Sequence, residues 1–439
     1  MHDKTSELDR HGVIAEILAG VELPRMYRVE QHFDEEHISD IDAAVEAQVA
    51  REEIRGSLQD GARIAVTVGS RGVAGIAEIT RALVTALKRR GAKPFVIPAM
   101  GSHGGATAAG QAELIAGYGV TEDAVGAPIR ATMETVEIGR TDDGKPVQID
   151  RYAAEADGIV VAGRVKPHTA YRGRYESGLM KMMAIGLGKQ RGAEVCHSEG
   201  FARMDHYVPL FGNAMLRQAK ILFGLAIIEN AFHQVYRLEA VPADRIPERE
   251  PELLEVARSR MGKILIPSFD VLVVDEIGKN HSGDGMDPNV VGRYGTPYAT
   301  GGPEVQRYVV LDLSRETHGN FVGAGLADFA PRRVYDKIDF DATYPNILTS
   351  KVPGPAMLPA IMKNDRTAIQ SAIFTCVSID RQHPRVVRIA HTSNLREILV
   401  SEALEDEVRG HPDLSIVEGP FELPFDSAGD LTDLRLGLH

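Results

Sequence analysis

The sequence predicts an α/β protein of two domains, each with a mostly parallel sheet flanked by helices, and with the active site in the interdomain cleft. Three observations predict it. Short apolar runs rich in β-branched residues recur along the chain, amphipathic helical stretches separate them, and glycine-rich breaks follow the runs. At 439 residues the chain is long enough for two or three domains.

Taken in order, residues 41–58 follow a mixed N-terminal stretch and read as a helix, with apolar positions on one face. Residues 63–68 (RIAVTV) read as a buried strand that breaks at Gly69-Ser70-Arg71-Gly72. A helix is expected over 76–90, with Ile76, Ile79, Leu83 and Leu87 on one face and a basic, glycine-closed end. Residues 94–98 give the next strand, followed by the loop 100–107 (MGSHGGAT) and a helix over 108–117. Further strands are expected at 158–162 and 222–228, and a helix over 251–260 with Pro251 in its first turn. The pattern restarts with a strand over 264–275, then a Gly- and Asp-rich loop to 302 and helices near Val334 and over 367–377. A strand at 386–390 and a helix at 395–408 complete it. The expected domains are 1–268 and 269–411, with 412–439 a candidate to return to the first.

Composition narrows the function classes. A formal charge of -13, from 62 acidic and 49 basic residues, argues against nucleic acid or an anionic membrane as the main partner. Cys196 and Cys376 form no CxxC pair, which suits a reducing, cytoplasmic setting without a disulfide framework. No stretch reaches membrane-spanning length. Walker A, GxSxG and HExxH signatures are absent from the sequence, so common kinase, hydrolase and zincin chemistries have no support.

Several side chains stand where chemistry is possible. Arg71, His103 and His168 each follow a predicted strand, the edge at which α/β sheets bind ligands. His103 lies among glycines in Gly101-Ser102-His103-Gly104-Gly105, and imidazole suits proton transfer near neutrality, although a surface turn explains it equally well. His168 sits in a basic loop with Lys166, Arg172 and Arg174 that also reads as merely solvated. Lys181 lies in an apolar stretch, where a lysine either reaches out to solvent or serves as a reactive amine. His197 beside Cys196 is on its own a weak metal signal.

Together these loops resemble the lactate racemase family that uses a nickel-pincer nucleotide. The resemblance is carried by Gly69-Ser70-Arg71, Gly101-Ser102-His103, Val165-Lys166-Pro167-His168, Ser177-Gly178-Leu179-Met180-Lys181 and His197, in the family's order. Two further stretches, Ala184–Lys189 and Asp275–Lys279 with Gly285–Asn289, match a wider branch of relatives. The resemblance implies that Lys181 carries the pincer through a thioamide bond and that His197, sixteen residues later, ligates nickel. It makes His103 and His168 the acid and base, and assigns the substrate carboxylate to Arg71. It brings Lys279 over the site from the second domain, with Glu276 beside the substrate and Ser177 and Gly178 at the cofactor, their backbone amides offered to its phosphate. The implied partners are a small-molecule 2-hydroxy acid and cofactor-maturation enzymes acting in trans.

Two departures bear on the substrate. The stretch from His168 to Lys181 spans thirteen residues, longer than the family pattern, and adds Arg172, Arg174 and Glu176. Glu276 stands where a neutral amide is expected. Both favour a more polar hydroxy acid than lactate, such as malate or a sugar acid. The alternatives are a sensor that binds a hydroxy acid or nucleotide without turnover, and an enzyme using the same cleft without nickel.

Overall fold

The computed structural model describes Asp9, residues 11–70 and residues 72–437. Strands run in chain order as β1 (Met26–Gln31), β2 (Arg63–Val68), β3 (Lys93–Pro98), β4 (Thr135–Arg140), β5 (Pro146–Asp150), β6 (Gly158–Arg164), β7 (Ile221–Glu229) and β8 (Val235–Pro242). They continue as β9 (Ser268–Ile277), β10 (Glu304–Leu313), β11 (Phe329–Pro331), β12 (Ala360–Met362), β13 (Val386–His391), β14 (Asn394–Ser401) and β15 (Leu414–Phe421). The chain divides into two compact units, residues 35–261 and residues 1–34 with 262–439.

The unit of residues 35–261 is built on a five-stranded sheet of order β3-β2-β6-β7-β8. Its first three pairings are parallel, and β8 closes the edge antiparallel to β7. Alternate side chains of each strand point to opposite faces. Ala65, Ile159 and Val161 therefore pack on one side with the segment Leu179–Leu187 and the helices Met204–Gln218 and Ile246–Arg260. Ile64, Val66, Val160 and Ala162 pack on the other, against the helices Ile41–Ala50 and Ile76–Lys88. A parallel sheet buried on both faces needs near-continuous apolar strands, which is what RIAVTV and GIVVA supply. A separate β4-β5 hairpin turns at Asp142-Asp143-Gly144, a signal in the sequence that the strand assignment above passed over.

The other unit has an eight-stranded mixed sheet of order β12-β11-β10-β9-β13-β14-β1-β15. It is parallel from β12 to β13 and antiparallel from there to β15. Here the expected domain boundaries need correcting. Strand β1 lies between β14 and β15, so the first 34 residues belong with the C-terminal half and not with a 1–268 domain. The tail after Pro412 likewise adds β15 to this same sheet and does not return to the first domain.

Local expectations are corrected too. The stretch 395–408 is not one helix: Asn394–Ser401 is strand β14, and only Glu405–Gly410 is α-helical. Leu395, Ile398 and Leu399 fit a helical face in isolation, but pairing on both sides, to β13 and β1, fixes them as strand. The helix at 41–58 breaks at Arg51, whose backbone is extended (ψ 137°). The helix expected from Pro251 begins at Ile246, with Pro247 in its first turn and Pro251 inside it.

Candidate active site

Because β3, β2 and β6 are adjacent and parallel, the loops leaving their carboxyl ends lie side by side. These are the loops that carry Ser70, His103 and His168. Arg71, the expected carboxylate anchor, lies outside the described residues. Its loop is held on the far side by Glu229, which accepts from the Ala74 amide at 2.8 Å and pairs with Arg164 at 2.6 Å. Burial pushes the Glu229 carboxyl up, but Arg164, His233 and the Ala74 amide outweigh it and bring it down to about 2. His103 is exposed, and its Nδ1 makes a short hydrogen bond with the Ser70 hydroxyl, joining the first two loops.

His168 sits deeper, only 8% exposed. Its ring lies 4.5 Å from that of Tyr171 and 5.9 Å from that of Phe201, with His197 edge-on to the same Phe201 at 5.6 Å. Its Nδ1 accepts from the Ala170 amide at 3.0 Å, and its Nε2 lies 2.6 Å from Lys181 Nζ. Burial, and then the charges of Lys181, Lys166, His197 and Arg172, hold this imidazole well below the usual histidine range. The half-buried Lys181 therefore does not simply reach out to solvent but meets a neutral ring. Lys181, His168 and His197 form one cluster, while His103 is tied to Ser70 in the neighbouring loop.

Lys181 ends a short helical turn, Leu179–Lys181, that runs into a π-helical turn over Met182–Gly186. Such wide turns recur at functional sites. Gly186 has to be glycine, since a Cβ there would lie 2.8 Å from the Ala99 carbonyl oxygen. Cys196 is buried, which pushes its thiol up to about 12, and it is not a reactive thiol.

Two expectations fare differently. The amides around Ser177 and Gly178 are not a vacant phosphate cradle. Ser177 N–H donates to the Lys166 carbonyl at 3.2 Å, and the amides of Leu179 and Met180 are taken by the buried carboxyl of Glu250, the latter at 2.8 Å. Gly178 is bare because a Cβ would lie 2.1 Å from Glu250 Oε1. The residues added between His168 and Lys181 are largely used internally. Glu176 is fully buried, accepts from the His168 amide at 2.7 Å, and pairs with Arg172 and Arg258. Arg172 also donates to the His168 carbonyl at 2.6 Å, and Arg174 turns to the Pro247 carbonyl at 3.3 Å. These contacts fix the His168 loop.

Glu276 and Lys279 stand in the other unit, at and after the end of β9. Lys279 Nζ donates to the Gly283 carbonyl at 2.6 Å. Glu276 lies 3.1 Å from His281 Nε2, and His281 stacks on His391 at 4.0 Å with the Ser393 hydroxyl 2.9 Å from Nδ1 of each. Burial raises the Glu276 carboxyl, but the His281 bond and the charges of Arg435 and His391 outweigh it and hold it lowered. Sequence reasoning passed over His281 and His391; they lie 110 residues apart, and the parallel pairing of β9 with β13 brings them together.

Residues 15–205 match the family model of the lactate racemase N-terminal domain. The match covers 191 of the 439 residues, so it is a likeness of that part of the chain to the lactate racemase N-terminal domain. No curated protein compared with it matches. Among solved structures it is similar to the lactate racemase apoprotein from Thermoanaerobacterium thermosaccharolyticum, with 12% identity, a TM-score of 0.46, and coverage of 77% of this chain and 87% of that one. No helix among the described residues is long and apolar enough to cross a membrane.

Proposed function

We propose that the protein racemises or epimerises a small, polar 2-hydroxy acid with the help of a nickel-pincer nucleotide held at Lys181 and His197. The observation that carries this reading is the 2.6 Å approach of Lys181 Nζ to His168 Nε2. With the Ala170 amide donating to Nδ1, the proton of the neutral ring belongs on Nε2, facing the amine. An ammonium at Lys181 would set donor against donor there, so the pair favours release of the Lys181 proton, which leaves the lone pair an amine needs to make a covalent bond to a cofactor carboxyl or thiocarboxyl group. His197, in the same cluster, offers an imidazole nitrogen of the kind nickel accepts. The donor set therefore fits the group.

When bound, the pincer supplies a place to take up and return hydride, which a histidine cannot do at an unactivated C–H. The chain supplies the rest. One of His103 and His168 removes the alcohol proton on one face of the substrate, and the other returns it on the opposite face. The depressed range of His168 keeps its ring neutral. Arg71 holds the carboxylate through its planar fork, so that only the reacting carbon changes configuration. A sugar acid and malate are the candidate substrates.

The deciding experiment is the intact mass of the protein co-produced with pincer-synthesis enzymes and supplied with nickel, beside Lys181→Ala. A mass increment on the unaltered protein alone, mapped to Lys181, is expected. Equal masses and no bound nickel, under conditions that load a relative, would discard the nickel-pincer reading in favour of a sensor or a nickel-independent enzyme.

A further inference from the structure

Lys189 takes no part in the chemistry proposed above, yet it is the most unusual lysine of the unit. It is fully buried, and its backbone is left-handed at φ 54°, a conformation strained for a non-glycine residue. A chain that desolvates an ammonium group and strains its backbone at one residue has a use for that side chain there. Lys189 Nζ donates to the carbonyl of Pro98, the last residue of β3, at 2.8 Å and to Gln111 Oε1 at 2.5 Å, and lies 3.4 Å from the buried carboxylate of Asp150. With its oxygen taken by Lys189, the Gln111 side chain turns its NH2 to the His103 loop, donating to the carbonyls of Gly101 at 2.9 Å and His103 at 3.2 Å. Lys189 also opens the helix Lys189–Cys196, whose C-terminal cap is His197.

We infer that Lys189, acting through Gln111, is a positioning residue: it fixes the loop of His103 and the start of the helix leading to His197 on the end of β3. This role rests on the proposed parts of His103 and His197, but the arrangement is testable without nickel or substrate. The reasoning is geometric. A loop with glycine on both sides of His103 has little stiffness of its own. Two carbonyls held by one buried amide, itself oriented by a buried cation, supply that stiffness. A lysine that served only to neutralise Asp150 would need no link to Gln111.

The test uses the full chain with isotope-labelled histidines, and the variants Lys189→Met and Gln111→Leu. Gln111→Leu leaves the Lys189–Asp150 pair in place and cuts only the link to the loop. Both variants are expected to move the His103 ring resonances and displace their titration midpoint by about half a pH unit, with the His168 signals unmoved. In the loaded enzyme, kcat is expected to fall at least about tenfold with KM little altered. If Gln111→Leu folds with unchanged His103 resonances and titration, the inference is overturned, whatever Lys189→Met does to stability. A missing Lys181 adduct would sink the nickel reading and leave this result intact.

Discussion

At the scale of single residues, the site depends on which groups stay neutral. His168 is buried among cationic neighbours, so its folded range lies below the histidine value of about 6.5. The unfolded chain then binds the proton more readily, and the stability this ring contributes is present above about pH 6.5 and lost as the pH falls. Histidine NMR is expected to show His168 neutral throughout the range in which an exposed histidine titrates. Lys181→Met should raise its midpoint part of the way back, since burial, the larger cause, remains. A midpoint at or above 6.5 in the unaltered protein would remove the neutral-ring argument. The residues themselves were legible: glycine-flanked His103, proline-preceded His168 and an out-of-place Lys181 all stood out in the chain. Their partners were not. Nothing in the sequence ties Glu250 to Met180, or Glu229 to the loop after Arg71, because those contacts join segments 70 and 155 residues apart.

At the scale of elements, the short turn bearing Lys181 shows how one carboxyl can set local geometry. Glu250 sits in the helix Ile246–Arg260, is 1% exposed, and accepts from the Met180 amide, while its Oε1 has no hydrogen-bond partner among the described residues. Burial pushes its carboxyl up to about 8, against a free glutamate value of about 4.3. Between those values the folded chain keeps a proton that the unfolded chain has released. Its contribution is therefore full below about pH 4.3 and is lost as the pH rises to about 8. Glu250→Gln retains an acceptor for Met180 and should flatten the dependence of melting temperature on pH across this window, by comparison with the unaltered protein. A parallel pair of curves would show that Glu250 titrates normally. Strands β2, β3 and β6 and the helix over 108–117 were readable because period and composition agree there. The segment 395–408 was not, since its leucines suit either structure and strand pairing decided the outcome.

At the scale of the whole molecule, the eight-stranded sheet collects three distant parts of the sequence, and buried charge ties two of them. Arg388 on β13 is 1% exposed and makes a two-pronged pair with Asp275 on β9 at 2.7 and 2.9 Å. It also reaches Asp433 near the C-terminus at 3.0 Å. Arg388→Met would leave the Asp275 carboxylate buried without its partner, and should lower the stability of this unit by about 3–5 kcal/mol in urea unfolding. A loss under about 1 kcal/mol would mean that Asp275 takes up a proton and needs no cation.

What the sequence determined by itself was local: where apolar runs become strands, where amphipathic stretches become helices, and which side chains leave strand ends in glycine-bearing loops. Those features follow from forces acting over a few residues. Tertiary structure decided the rest: β1 inserted between β14 and β15, the amides of Ser177, Leu179 and Met180 taken by Lys166 and Glu250, and His281 stacked on His391. Each depends on hydrogen bonds and burial between segments far apart in the chain, and such pairings leave no periodic trace in either segment alone.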